Sequence, residues 1–392
     1  MSIAKKIFII SSVLLASVLF FLGIYNISFK PKNTALNNSS AQTTNSKKEN
    51  SGIVSNIEEK LGIKNKEKIY ALSQGAAISP FVSEKEEKIK YYNPSNGSVS
   101  EVSFNGEGRS VIDENNFEGL EKVSWSPDGS KVISRFNSGG KIQYTSYDYS
   151  TKIFFKLANG IEFAAWNNLG DQIVYKYSDS KTGKKTINTA NFDGSNWKKI
   201  ADISISNFWM SMVPQSSFVS FWNSPNALEE TLLYLVSTVA GDSKKIFSGR
   251  FGADYLWSPN GTKALISSTD SRGGSKIGLG VINSNGGEFQ NLNIPTFTSK
   301  CAWGKDNKTV YYALPSFPSE NNMLPNDYQN GKISSKDTFW KVDITTGKAE
   351  RLVETSDIKN LYDAKNLFLS PSEDILFFIN RTDGKLYGIN LQ

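Results

Sequence analysis

A short stretch, Trp125-Ser126-Pro127-Asp128-Gly129-Ser130-Lys131-Val132-Ile133, returns as Trp257-Ser258-Pro259-Asn260-Gly261-Thr262-Lys263-Ala264-Leu265. Reduced copies stand at Trp166-Asn167-Asn168-Leu169-Gly170 and Trp303-Gly304-Lys305-Asp306-Asn307. In each, an apolar strand ends in Trp, a Pro-Asp-Gly or Asn-Gly turn follows, and a second apolar strand returns. A hairpin of this kind does not bury both its faces alone, so a chain that repeats it must stack its copies.

With the Trp position as marker the series is Ile78, Trp125, Trp166, Met212, Trp257, Trp303 and Leu369, with spacings of 47, 41, 46, 45, 46 and 66 residues. The first and last copies keep Ser-Pro (Ser79-Pro80 and Ser370-Pro371), and the fourth keeps only Pro214. Each returning strand is followed by a third alternating strand, such as Lys141-Ile142-Gln143-Tyr144-Thr145, and a fourth, such as Lys152-Ile153-Phe154-Phe155-Lys156. Four strands in about 45 residues make the blade of a β-propeller, with the Trp filling the gap between blades. The fold class is therefore all-β, a propeller of seven four-stranded blades over residues 67–392. Six or eight blades stay open, because the copy at Met212 is weak. The last copy lacks a fourth strand, and Lys68-Ile69-Tyr70-Ala71-Leu72 is a spare one at the other end, placed to complete it and remove the open edges. The long last interval holds residues 315–336, rich in Pro, Ser and Asn, which read as a surface insertion.

Ahead of the repeats, Lys5 and Lys6 precede an uncharged run over residues 7–25. As a helix it is about 28 Å long, enough to cross a bilayer core. Bulky residues follow it, with no small-residue cleavage site and no Cys for lipid attachment, so it reads as an uncleaved transmembrane signal-anchor rather than a signal peptide. Residues 1–6 become a short cytoplasmic N-terminus. Lysines flank both ends and nearly tie the charge rule, but a short basic N-terminus usually stays inside. The expected localisation is the cytoplasmic membrane, single-pass, with the propeller on the extracytoplasmic side. Residues 26–66 are a flexible polar linker with little to bury and a typical reach on the order of 30 Å.

These hairpins, Trp-Ser-Pro-Asp-Gly with a following Lys, resemble the WD40-like (PD40) β-propeller repeats of the TolB type, over the whole repeat region. The resemblance implies the fold and leaves the function open. TolB carries a further N-terminal domain, for which residues 26–66 are too short and polar. The peptidases that share such propellers append a Ser-His-Asp hydrolase domain, and this chain has no histidine.

The absence of histidine removes Ser-His-Asp and Cys-His catalysis and the commonest metal ligand. Cys301 is the single cysteine, and its place before Ala302-Trp303 reads as a buried strand position. The net charge of +6 is spread over scattered lysines with six arginines, unlike a nucleic-acid binder's basic face. Asp128, Asp148 and Asp193 stand in turn sequences and read as turn residues. No catalytic, metal or cofactor site is assigned, and no cofactor is expected.

In a propeller the innermost strand starts at one face beside the central channel. Residues just before the markers then form a candidate binding rim: Glu121, Lys122, Glu162, Phe163, Phe208, Trp209, Asp254, Tyr255 and Tyr362. Mixed aromatics and charges suit a peptide or glycan; the competing reading packs the aromatics inward between blades. The chain as a whole reads as a membrane-tethered module binding a protein or envelope polymer, with no nucleic-acid partner. The alternative is an extracytoplasmic carboxylate-dependent hydrolase or lyase at the channel mouth, which needs two carboxylates within about 5–10 Å.

Overall fold

The computed structural model describes residues 67–114, 117–239, 241–319 and 321–392. The expected cytoplasmic N-terminus (1–6), transmembrane segment (7–25) and linker (26–66) lie outside the described residues. Among the described residues no helix is long and apolar enough to cross a membrane.

Antiparallel strands build seven blades. Blade 1 is Ile78–Ser83, Lys88–Tyr92, Val99–Ser103 and Ser110–Asp113. Blade 2 is Leu120–Trp125, Lys131–Ser138, Lys141–Asp148 and Ile153–Lys156. Blade 3 is Ile161–Trp166, Gln172–Ser178, Lys185–Asn191 and Lys198–Ile203. Blade 4 begins with Phe208–Met212, Phe218–Asn223 and Glu230–Ser237. Its fourth strand is the first part of Lys244–Trp257, a continuous 14-residue strand whose last part opens blade 5. Blade 5 continues with Lys263–Thr269, Ile277–Asn283 and Gln290–Ile294. Blade 6 is Cys301–Trp303, Thr309–Ser316, Lys336–Asp343 and Ala349–Arg351. Blade 7 is Ala364–Leu369, Ile375–Asn380 and Leu386–Asn390, completed by Ile69–Ala71.

The ring closes as the spare strand suggests. Ile69 pairs with Ile389, Tyr70 with Gly388 and Ala71 with Tyr387. Arg109 of blade 1 then donates from Nε to the Leu72 carbonyl at 2.6 Å, tying the closing strand to the next blade as well.

The core lies between blades, as radial stacking requires. Tyr92 and Val99 of blade 1 cluster with Leu120 and Val132 of blade 2. Ile133 and Tyr144 of blade 2 cluster with Ala164 and Trp166 of blade 3. The pattern continues around the ring to Phe377 and Leu386 of blade 7 against Ile89 and Val102 of blade 1. The marker indoles also make polar ties backward. Trp125 donates from Nε1 to the Ser79 carbonyl at 2.9 Å, Trp166 to the Ser124 carbonyl at 2.9 Å, Trp257 to Ser220 Oγ at 2.8 Å and Trp303 to the Leu256 carbonyl at 3.1 Å. Each bond reaches the preceding blade, so the marker serves packing and registration together.

The rest of the motif fixes the turn. Ser126 Oγ donates to Asp128 Oδ1 at 2.6 Å and accepts the Lys131 N–H at 2.9 Å. Gly129 supplies the positive φ of 68° that closes the turn. Ser258, Asn260 and Lys263 repeat these bonds at 2.9 and 3.1 Å. Asp148 and Asp193 likewise accept backbone N–H groups two residues on, at 2.8 and 2.9 Å, as turn residues do. Cys301 is buried, and burial pushes its thiol far above the ordinary range.

Candidate functional site

Side chains alternate along a regular innermost strand, so of two neighbours one faces the channel and the other packs sideways; in blade 7 a register shift after Lys365 breaks the alternation. In blades 4, 5 and 7 the cavity-facing residue stands three before the marker, whereas in blade 6 that place is the buried Lys300. Trp209, Asp254 and Asn366, from blades 4, 5 and 7, line one cavity of about 310 Å3 together with Ser299 and Lys365. Walls drawn from four blades place that cavity at the channel mouth. Lys122 and Phe163 hold the same place in blades 2 and 3, with the ammonium 5.1 Å from the ring centroid.

The other members of the expected rim lie elsewhere. Phe208 is buried between blades 3 and 4, beneath the Lys176 ammonium at 4.4 Å. Tyr255 is buried against Trp222, with ring centroids 5.3 Å apart. Tyr362 is buried among Phe339, Phe378 and Tyr387. For these three the inward-packing reading is the correct one, because alternation and the entry to blade 7 turn them into the core. Glu121 is exposed and pairs with Arg135 and with Asn137 Nδ2 at 2.7 Å. Glu162 pairs with Lys176 at 2.8 Å and Lys185 at 3.2 Å. Burial opposes its charge, but the two lysines outweigh that and hold its carboxyl below the ordinary range.

Residues 315–336 join the second and third strands of blade 6, and their part around Leu324 to Gln329 does not stand off as a surface insertion. It crosses the mouth. A short helix, Asn326–Gln329, carries Tyr328 into the interior, where its ring stacks on Phe297 at 4.6 Å. Asn326 accepts the Ala227 N–H at 2.8 Å and donates to Asn226 Oδ1 at 2.9 Å, reaching the loop between the second and third strands of blade 4. Leu324 donates its N–H to the Gly274 carbonyl of blade 5 at 3.1 Å. Gly252, at φ 58°, lets Pro325 approach: a Cβ there would stand 2.6 Å from Pro325 Cδ.

A buried ionic cluster fastens this cover to blade 7. Lys300, wholly inaccessible, donates to Asp337 Oδ2 at 2.6 Å, Asp363 Oδ1 at 2.8 Å and the Ala364 carbonyl at 2.8 Å. Tyr328 donates its hydroxyl to Asp363 Oδ1 at 2.6 Å. Arg381 reaches Asp363 Oδ2 at 3.3 Å and the Tyr328 carbonyl at 3.0 Å, its guanidinium 3.9 Å from the Tyr328 centroid. Two cations meet two carboxylates. Burial opposes the Lys300 charge, but Asp337, Tyr328 and Asp363 outweigh it and hold the ammonium protonated.

The groups facing the cavity are treated differently. Burial pushes the Asp254 carboxyl up to about 6, against the Thr298 hydroxyl bond at 2.8 Å and the Tyr255 N–H at 2.9 Å. Burial, with Arg381 nearby, lowers the Lys365 ammonium below its usual range and outweighs the pull of Asp363. Sequence reasoning missed Lys300, Asp337, Tyr328, Asp363, Lys365 and Arg381. One signal was present: Lys300 stands three before Trp303, the place that Lys122 and Asp254 hold in their blades. Among the described residues no group of three His, Cys, Asp or Glu is placed to hold a metal ion. The cavity wall itself presents one carboxyl, Asp254, two cations, Lys365 and Arg381, and the rings of Trp209, Phe297 and Tyr328.

No protein-family model matches the chain, and no curated protein matches it in sequence. Many solved structures share its fold. An oligogalacturonate lyase in complex with manganese has a TM-score of 0.57 at 12% identity, over 83% of this chain and 93% of that one. The β-propeller domain of the Trilobed protease from Pyrococcus furiosus, of open velcro topology, has 0.54 at 12%, over 82% and 97%. TolB from Acinetobacter baumannii has 0.46 at 15%; this chain aligns over 68% of its length and spans 63% of TolB. Identities this low speak to fold alone: the chain is a β-propeller, as is the protease domain above.

Proposed function

We propose that the chain is a binding module, held by residues 7–25 at the outer side of the cytoplasmic membrane, whose covered channel mouth engages a protein or an envelope polymer. The make-up of that mouth supports the reading. Trp209 stays 41% exposed there while Trp166, Trp222, Trp257 and Trp303 are buried. An exposed indole beside polar groups in a concave site is a recognition feature. The test uses the full chain in detergent as bait for solubilised envelope. A retained component that is lost with Trp209→Ala supports the reading, and retention no greater than on a bait-free matrix refutes it. Deleting residues 315–336 would be a poor control, because it would strip Tyr328 from the Lys300 cluster.

Placement has its own test. A cysteine at exposed Lys181 (Lys181→Cys) should react with a membrane-impermeant maleimide in intact protoplasts, while buried Cys301 stays silent. Labelling only after lysis would reverse the orientation.

The alternative, a carboxylate-dependent hydrolase or lyase, draws on one observation. A carboxyl near 6, as at Asp254, suits proton transfer close to neutral pH. A second acid is what it lacks: Asp254 is the one acidic residue in the cavity wall, and Glu121 and Glu162 are held by basic partners.

A further inference from the structure

Not every charge of the mouth has an ion-pair partner. Lys300 and Arg381 are matched by Asp337 and Asp363. Lys365, beside them on the first strand of blade 7, lines the cavity, and among the described residues its ammonium makes no hydrogen bond or ion pair. A lysine that served packing alone would carry its ammonium out to water. This one is half-buried in a cavity wall, with Arg381 opposing and Asp363 supporting its charge and no direct partner among the described residues, a place an incoming anion would fill.

The rest of the wall narrows what that anion belongs to. Phe297, Pro325, Tyr328 and the exposed Trp209 give a predominantly apolar lining. The apolar faces suit an aliphatic or aromatic side chain, and Ser267, Ser299, Gln329 and Asn366 between them are left for backbone hydrogen bonds. Asp254 takes hydrogen bonds from Thr298, the Tyr255 N–H and Trp222, and its carboxylate has room for one more, which a peptide N–H would use. The cover formed around Leu324 to Gln329 crosses the mouth from blade 6 to blade 4. A polymer laid across the opening would meet this cover, whereas a chain end enters beneath it. The volume of about 310 Å3 lies at the small end of ligand cavities.

Resting on the binding-module reading, we propose that the mouth captures the C-terminal end of a peptide: its carboxylate on Lys365, an apolar last side chain against Trp209, Phe297 and Pro325, and a backbone N–H toward Asp254.

The test titrates the full chain in detergent with N-acetyl-Ala-Ala-Leu bearing a free carboxylate, with the same peptide amidated, and with a uronic-acid trisaccharide, followed by calorimetry and tryptophan fluorescence. The free acid should bind saturably, and amidation or Lys365→Met should each weaken it by about tenfold or more. Trp209→Phe should abolish the fluorescence change. An unshifted urea midpoint for Lys365→Met checks that the variant folds. Equal binding of the amide, undiminished binding by Lys365→Met, preference for the trisaccharide, or no saturable binding up to about 10 mM would each overturn the proposal. An envelope partner that the peptide does not displace, and that Lys365→Met retains, would leave the binding module standing and remove the chain-end inference. No partner at all would remove the broader reading.

Discussion

Lys300→Met probes what holds the cover in place. The ammonium is inaccessible to water and makes three bonds of 2.6 to 2.8 Å. Its removal does not strand its two carboxylates equally. Asp363 keeps Arg381 at 3.3 Å, the Tyr328 hydroxyl at 2.6 Å and Ser335 Oγ at 3.0 Å. Asp337 keeps only neutral donors, Ser335 Oγ at 2.6 Å and the Ala364 N–H at 2.7 Å. A buried carboxylate left without its cation lowers stability by about 3–5 kcal/mol. Urea unfolding at pH 7, followed by tryptophan fluorescence, should show that loss as a lowered midpoint. Adding Asp337→Leu removes the stranded charge, so the double variant should recover most of it, giving a coupling energy of at least about 2 kcal/mol. The penalty should also fall with pH. In Lys300→Met the folded Asp337 pKa lies above its unfolded value of about 3.9, so the destabilisation is full well above that value and fades as pH drops through the folded pKa toward it. A loss below about 1 kcal/mol, or singles that simply add in the double variant, would refute the argument that the cluster acts as a unit.

Other consequences follow from the same contacts. Asp254→Asn should raise stability at pH 7 by up to about 3 kcal/mol and leave it unchanged near pH 4, because a folded carboxyl at about 6 weakens the fold only as pH rises above its unfolded value of about 3.9; equal gains at both pH values would contradict this. Trp257→Ala should cost about 3–5 kcal/mol through the blade 4–5 gap, and Trp257→Phe about 1–2 through the lost bond to Ser220. Indistinguishable urea midpoints for these two variants would argue against that division. Deleting residues 69–71 should open blade 7 and speed limited proteolysis of the Leu386–Asn390 strand, whose edge they cover; an unchanged cleavage pattern would mean that the closing strand adds little.

The hairpin chemistry was legible because it is local. Ser126, Asp128 and Gly129 interact within five residues of one another, so their spacing alone predicts the turn. The closing strand was legible by subtraction, since one blade lacked a strand that the other end supplied. The rim was half legible. Glu121/Lys122, Glu162/Phe163, Phe208/Trp209 and Asp254/Tyr255 are neighbours in sequence, and a period of two sends only one of each pair to the axis. Counting three back from each marker selects Lys122, Phe163, Trp209 and Asp254. The cover was illegible for a different reason. A segment rich in Pro, Ser and Asn looks solvated, and its docking depends on Tyr328 meeting Asp363 across 35 positions of sequence. A lysine buried between two aspartates likewise leaves no periodic trace.

The contrast between Lys300 and the mouth bears on function. At Lys300 the fold surrounds a buried charge with two opposite charges and a carbonyl, which is how a chain handles charge when only stability is at stake. At Asp254 and Lys365 burial works against the charged form, and among the described residues neither makes an ion pair. Two charges that burial opposes, in one cavity wall beside an exposed indole, are what the proposed binding role would draw on. Asp254→Asn joins the two sides of that argument. It should stabilise the fold at pH 7 and weaken peptide capture in the same protein. A variant that gained stability and bound the peptide undiminished would show that the strain at Asp254 has no part in recognition.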